Sequence, residues 1–182
     1  MATIEIWTGP MFAGKTTGLL DRVYQFQEAG VPVLMLKHAS DTRYDSGAAV
    51  TTHSGVSLAA QPAKDMNDLH HALYYRPDVK VVAVDEIQFF PHGVVAWARE
   101  ARAKGITVLL AGLDRESTGE FFGPMPWLLA HADVVHKLSG ECACGLKAYQ
   151  TRRKKDAPEG FVGGSERYES VCWVCWYKQV ER

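Results

Sequence analysis

Residues Gly9-Pro10-Met11-Phe12-Ala13-Gly14-Lys15-Thr16 place a glycine at the start of a short loop and Gly-Lys-Thr at its end. Thr3 to Thr8 before them reads as a strand, and Lys15 to Glu28 after them as a helix stopped near Gly30. Glycines let backbone wrap around phosphate oxygens without Cβ clashes, and a helix N-terminus points unsatisfied N–H groups at the anion. Lys15 would reach the β and γ phosphates of a nucleotide, and the Thr16 hydroxyl would ligate Mg²⁺. A strand–loop–helix unit of this kind commits the chain to an α/β layer.

The following segments agree. Val31 to Lys37 reads as a strand, Asp65 to Tyr75 as a helix ending before Pro77, and Lys80 to Val84 as a β-branched strand buried on both faces. Gly93 to Lys104 then reads as a helix, Ile106 to Ala111 as a strand, and Asp133 to Leu138 as a weaker strand. That alternation predicts a mostly parallel sheet with helices on both faces. Two stretches break the rhythm: Ser40 to Gly55, read as a mobile loop, and Asp114 to Pro126, which is loop-like yet carries Phe121 and Phe122. Both follow strands, at the edge where open α/β sheets bind ligands. From Ser139 the pattern turns to short cysteine-bearing segments, so two domains are expected, 1–138 and 139–182.

A phosphate loop needs an acid at the end of a second buried strand, and Val81-Val82-Ala83-Val84-Asp85 supplies it. Asp85 would hold Mg²⁺ directly or through water. Glu86 follows at once, on the other face of the strand, so the two carboxylates cannot serve one metal in the same way. In an ATPase such a glutamate would activate water; in a kinase it would take the proton of a substrate hydroxyl. Position alone does not separate these roles.

Cys142-Ala-Cys144 and Cys172-Trp-Val-Cys175 offer four thiolates in two pairs. Four sulfurs suit a closed tetrahedral Zn²⁺ site with no position left for water, hence a structural one. His38, His53, His70, His71, His92, His131 and His136 show no metal spacing with carboxylates, and none is given a catalytic role. Net charge is −1 and the isoelectric point about 6.6, which argues against a general nucleic-acid surface. The basic run Arg152 to Lys155 reads as a solvated loop. No apolar run approaches the roughly 20 residues of a membrane span, and Met1 to Trp7 lacks the pattern of a secretory signal, so a cytoplasmic protein is expected.

Together these residues resemble the zinc-containing thymidine kinases. The resemblance rests on the phosphate loop with its GPMF start, Asp41-Thr42-Arg43-Tyr44 and Asp85-Glu86-Ile87-Gln88-Phe89-Phe90. It extends through Ala111-Gly112-Leu113-Asp114, Val162-Gly163-Gly164-Ser165-Glu166-Arg167-Tyr168 and the cysteine pairs. It implies a RecA-like P-loop core and a C-terminal lasso that zinc anchors over the nucleoside. It further implies ATP- and Mg²⁺-dependent phosphorylation of the 5′-hydroxyl of thymidine, giving dTMP in nucleotide salvage, with Glu86 as the base. Arg43 would position phosphates, and Ile87 and Gln88 would complete the nucleotide site. Phe89, Leu113, Phe122, Thr151 and Arg153 would line the nucleoside pocket, and Val162, Gly163 and Tyr168 would contact the base. A homotetramer inhibited by dTTP is implied as well. Deoxyuridine stays open as an alternative substrate.

The chain departs from the family in three places. Its first cysteine pair is CxC where most members have CxxC. Ser117 stands where a phenylalanine is common, and Phe121 where proline is usual. Phe121 is therefore expected to replace the missing ring of the pocket wall. Two other classes remain: a nucleic-acid-associated ATPase, disfavoured by the charge balance, and a non-catalytic nucleotide switch, disfavoured by Glu86 beside Asp85.

Overall fold

The computed structural model describes residues 1–40, 49–51, 57–157 and 163–180. In chain order the elements begin β1 (Ile4–Thr8), α1 (Lys15–Glu28), β2 (Val33–His38), β3 (Ala49–Thr51), β4 (Ser57–Ala59), β5 (Gln61–Ala63) and α2 (Met66–Tyr74). They continue with β6 (Val81–Asp85), α3 (Gly93–Ala103), β7 (Thr107–Gly112), α4 (Met125–His131) and β8 (Val134–Lys137). The last are β9 (Gly140–Glu141), β10 (Lys147–Ala148), β11 (Gln150–Arg153), β12 (Tyr168–Val171) and α5 (Trp173–Val180).

The large sheet has the order β5-β2-β6-β7-β1-β8, and each neighbouring pair is parallel. Its faces follow from the strand period of two. Ile4, Ile6, Val82, Val84, Val108 and Leu110 face one way and pack with α2, α3 and α4. Trp7, Val81, Ala83, Leu109 and Ala111 face the other way and pack against Leu19, Leu20 and Val23 of α1. Helices therefore cover both faces of a parallel sheet, as the alternation predicts. Asp85 continues the Val81–Ala83 face, which aims it at the start of α1.

The segment Ser40 to Gly55, read as a loop, contains β3, which pairs antiparallel with β4. The rest of it beyond Ser40, with the Asp41–Tyr44 motif and Arg43, lies outside the described residues. The segment 114–126 is a loop as far as Pro124, and α4 starts at Met125, where Pro124 and Pro126 on either side of its first residue obscure the helix. The large sheet ends at Lys137. Two small antiparallel pairs, β9–β10 and β11–β12, follow, with a cluster of Cys142, Ala148, Val171 and Cys172 at their centre. Among the described residues no helix is long and apolar enough to cross a membrane.

Candidate active site

The phosphate loop leaves β1 at a point where the neighbouring chain crowds it. A Cβ on Gly9 would collide with the carbonyl oxygen of Leu138, and the residue sits at φ 143°, so glycine is required twice over. Gly14 caps α1 in the left-handed region, without a side-chain hydrogen bond, and the first turn carries no acid. That leaves the helix N-terminus chemically suited to an anion. Lys15 Nζ donates to the carbonyl oxygen of Pro10 at 2.7 Å, folding the side chain back along the loop.

Thr16 and Asp85 meet as the sheet geometry requires: Thr16 Oγ1 donates to Asp85 Oδ2 at 3.0 Å. Two oxygen ligands of this kind, one hydroxyl and one carboxylate, fit a hard divalent cation such as Mg²⁺. Asp85 Oδ1 accepts the main-chain N–H of Glu86 at 3.0 Å. Glu86 itself lies in the left-handed region, φ 57° and ψ 41°. Among the described residues only Phe12 and Glu86 combine a side chain with positive φ, and both stand in this site. Such conformations cost of order 1–3 kcal/mol and persist where surrounding structure enforces them, often at functional sites.

After Glu86 the chain makes a single 3₁₀ turn, Ile87–Phe89. Ile87, expected at the nucleotide site, has its side chain fully buried in the core, leaving only its main chain for the site. Gln88 is buried too; its Nε2 donates to Glu86 Oε2 at 2.5 Å and its Oε1 accepts the Leu113 N–H at 3.2 Å. Phe89 meets Phe122 edge to face, with ring centroids 5.4 Å apart. The expectation for Phe121 is not met within the chain. Phe121 is 68% exposed and bridges Arg115 through its main chain, whereas the ring turned inward is Phe122, 8% exposed. One residue of shift in an extended segment exchanges the two faces.

His38 received no role from the sequence, yet its buried imidazole contacts both Phe89 and Phe90, at centroid distances of 5.5 and 4.6 Å. Burial holds its pKa below the usual 6.5, against the main chain of Lys64 and the charge of Glu86, so the ring is neutral at pH 7. No local spacing signals this residue, because the contact joins β2 to the turn after β6.

The tail closes directly on the phosphate loop. Met11 N–H donates to Thr151 Oγ1 at 3.0 Å, and Ser170 Oγ donates to the Met11 carbonyl. Thr151 and Tyr168 are buried and Arg153 is exposed. Gly163 is described, while Val162 lies outside the described residues.

The four cysteine sulfurs lie within 4.8 Å of one another, with Cys144 Sγ 3.4 Å from Cys142 Sγ and 3.6 Å from Cys172 Sγ. Zn–S bonds of about 2.3 Å in a tetrahedron demand S···S edges of roughly 3.8 Å. The CxC pair, at 3.4 Å, lies close to that edge length and fits the shell. Main-chain N–H groups of Cys144 and Cys172 lower the Cys142 pKa to about 6. Neighbouring sulfurs, Cys144 first, push Cys175 up to about 12. Without a cation the cluster cannot ionise together, which is the chemistry a metal relieves.

Comparison with known proteins places these features in a family. The family model described as thymidine kinase matches residues 2–176. A thymidine kinase of Coprothermobacter proteolyticus is 41% identical over 93% of this chain and 87% of its own length. Another, of Bacteroides thetaiotaomicron, is 36% identical over 96% of this chain and 87% of its own. A third, of Mesomycoplasma hyopneumoniae, is 32% identical over 94% of each chain.

Proposed function

Since the chain belongs to the thymidine kinase family, we propose that it transfers the γ-phosphoryl group of ATP to the 5′-hydroxyl of thymidine, with Glu86 as the base, releasing dTMP and ADP. The observation that carries this reading is the continuous run of contacts at the carboxyl edge of the sheet. Thr16 bonds Asp85, Asp85 bonds Glu86, Glu86 bonds Gln88, and Gln88 bonds Leu113. One end is the phosphate loop and the other the wall expected to face the nucleoside, so the carboxylate of Glu86 lies between the two substrates.

The chain's own residues would work as follows. The loop 9–16 and the open N-terminus of α1 hold the phosphates, and Lys15 swings from the Pro10 carbonyl to the β and γ oxygens. Thr16 and Asp85 would hold Mg²⁺, whose positive charge would offset that of the transferred group. The 5′-oxygen attacks the γ-phosphorus in line as the bond to the β,γ-bridging oxygen breaks, and Glu86 takes the hydroxyl proton. Positioning supplies most of the rate, since held reactants need no further search. Phe89, Leu113, Phe122, Thr151 and Arg153, with Val162, Gly163 and Tyr168 of the tail, form the nucleoside side. Arg43 serves the phosphates, and Zn²⁺ on Cys142, Cys144, Cys172 and Cys175 shapes the tail. A homotetramer with dTTP as end-product inhibitor completes the reading.

The direct test measures ATP consumption with a panel of nucleosides, with DNA as the competing stimulant. Turnover with thymidine or deoxyuridine supports the reading; stimulation by DNA alone would replace it with an ATPase.

Two substitutions probe the two sides. Lys15→Ala should weaken both ATP binding and turnover, because its charge meets the phosphates in ground and transition states alike. Unaltered ATP affinity with slowed chemistry would contradict the ground-state half. Phe122→Ala should raise the nucleoside KM about tenfold or more, since burying a phenylalanine is worth roughly 1.5–3 kcal/mol. Phe121→Ala should change it little, and equal effects from the two would put both rings in the pocket wall.

A further inference from the structure

Gln88 is buried at 2% exposure, and its amide donates to the Glu86 carboxylate. Its orientation is fixed from both ends. A main-chain N–H can only donate, so the atom facing Leu113 N must be the amide oxygen. The NH₂ group is thereby turned toward Glu86, and an ionised carboxylate can only accept. The two requirements agree on one orientation of the amide.

The terminal torsion of a glutamate is soft, so a carboxylate held only by its own chain rotates broadly. Here the 2.5 Å bond from Gln88 Nε2 to Glu86 Oε2 stops that rotation. The donor is in turn rigid: the 3₁₀ turn 87–89 is pinned by the buried Ile87, and a Cβ on Gly112 would lie 2.6 Å from Gln88 Oε1. A side chain wedged this closely against the end of β7 has no room to drift.

We propose that Gln88 is a positioning residue that aims the carboxylate of Glu86 and ties it to the loop after β7. This rests on the reading of Glu86 as the base. Gln88 then contributes to turnover only through Glu86, and its contribution vanishes once the carboxylate is gone. A role confined to packing, or to satisfying the Leu113 N–H, would persist in any background.

A double-mutant cycle separates these cases. Wild type, Gln88→Met, Glu86→Gln and the double variant are compared for kcat, for KM of thymidine and ATP, and for Tm. Gln88→Met should lower kcat about 10- to 10²-fold, the cost of misplacing a reacting group by an ångström or so, with smaller changes in both KM values. In the Glu86→Gln background the same change should lower residual kcat by no more than about two- to threefold, the scatter of independent sites. Equal fold-losses in both backgrounds would overturn the proposal while leaving Glu86 as base. A Glu86→Gln protein as active as wild type would overturn the base assignment itself. Gln88→Glu guards against a misfolded Met variant: it keeps an acceptor for Leu113 N but removes the donor to Glu86. It should lose turnover at least as severely as Gln88→Met; near-normal turnover would mean the Leu113 bond is what matters, and the positioning role would fall.

Discussion

Replacing Glu86 by glutamine is expected to lower kcat by about 10²-fold or more, the scale of a lost general base, with ATP affinity little changed. The substitution is nearly isosteric and keeps an oxygen that can accept from Gln88, so packing and the left-handed backbone at this position stay as they are. The carboxylate's charge and its ability to take a proton are what is removed. ATP affinity should hold because the groups proposed to meet the phosphates, the loop 9–16, Lys15 and the Thr16–Asp85 pair, keep their side chains. Steady-state kinetics with thymidine and a separate ATP titration check both halves. A variant retaining near-full turnover would show that another group, or bulk water, receives the proton.

The parts of this site that were legible in the sequence are those built from contiguous residues. The helix Lys15–Glu28 has the bounds the sequence predicts, because a glycine stop and a loop start bracket it. The buried strand before Asp85 announces itself through an unbroken apolar run of three valines and an alanine, and period two then puts Asp85 opposite Thr16. What stayed hidden depends on residues far apart in the chain. Met11 and Thr151 are 140 positions apart, and Gln88 and Leu113 are 25 apart. Neither pair leaves a local pattern. The expectation for Phe121 fails for another reason: adjacent rings on an extended segment take opposite faces, and the neighbours decide which of them turns inward. Short elements such as β9 to β12 lack the length for any periodicity to register, and the helix Trp173–Val180 begins inside the cysteine motif that had claimed those residues. His38 looked idle because its aromatic partners arrive from the turn after β6.

Those distant contacts also reshape the expectation for zinc. From sequence, the tail and the phosphate loop belong to separate domains, so loss of metal would leave nucleotide binding largely intact. The structure instead hangs the main chain of Met11 between Thr151 and Ser170, both on the strands of the tail. The tail's own cluster, Cys142, Ala148, Val171 and Cys172 with Cys175 and Trp176 against it, is too small to hold one shape by burial alone. A metal clip has to supply the difference. Cys172→Ser, or removal of metal by a chelator, is therefore expected to abolish thymidine binding, since Thr151 and Tyr168 lose their frame. ATP binding should survive but weaken several-fold, because two hydrogen bonds to the loop, each worth about 0.5–1.5 kcal/mol net, go with it. Metal analysis of the wild-type protein should find about one zinc per chain, as four thiolates complete one tetrahedral shell. The measurement is paired calorimetric titration of ATP and of thymidine into the Cys172→Ser protein, with circular dichroism reporting on the parallel sheet and its helices. Thymidine bound at wild-type affinity would mean the tail does not enclose the nucleoside. Equal, complete loss of both ligands with an intact core would mean that Met11, rather than the nucleoside wall, is what the zinc site chiefly supports.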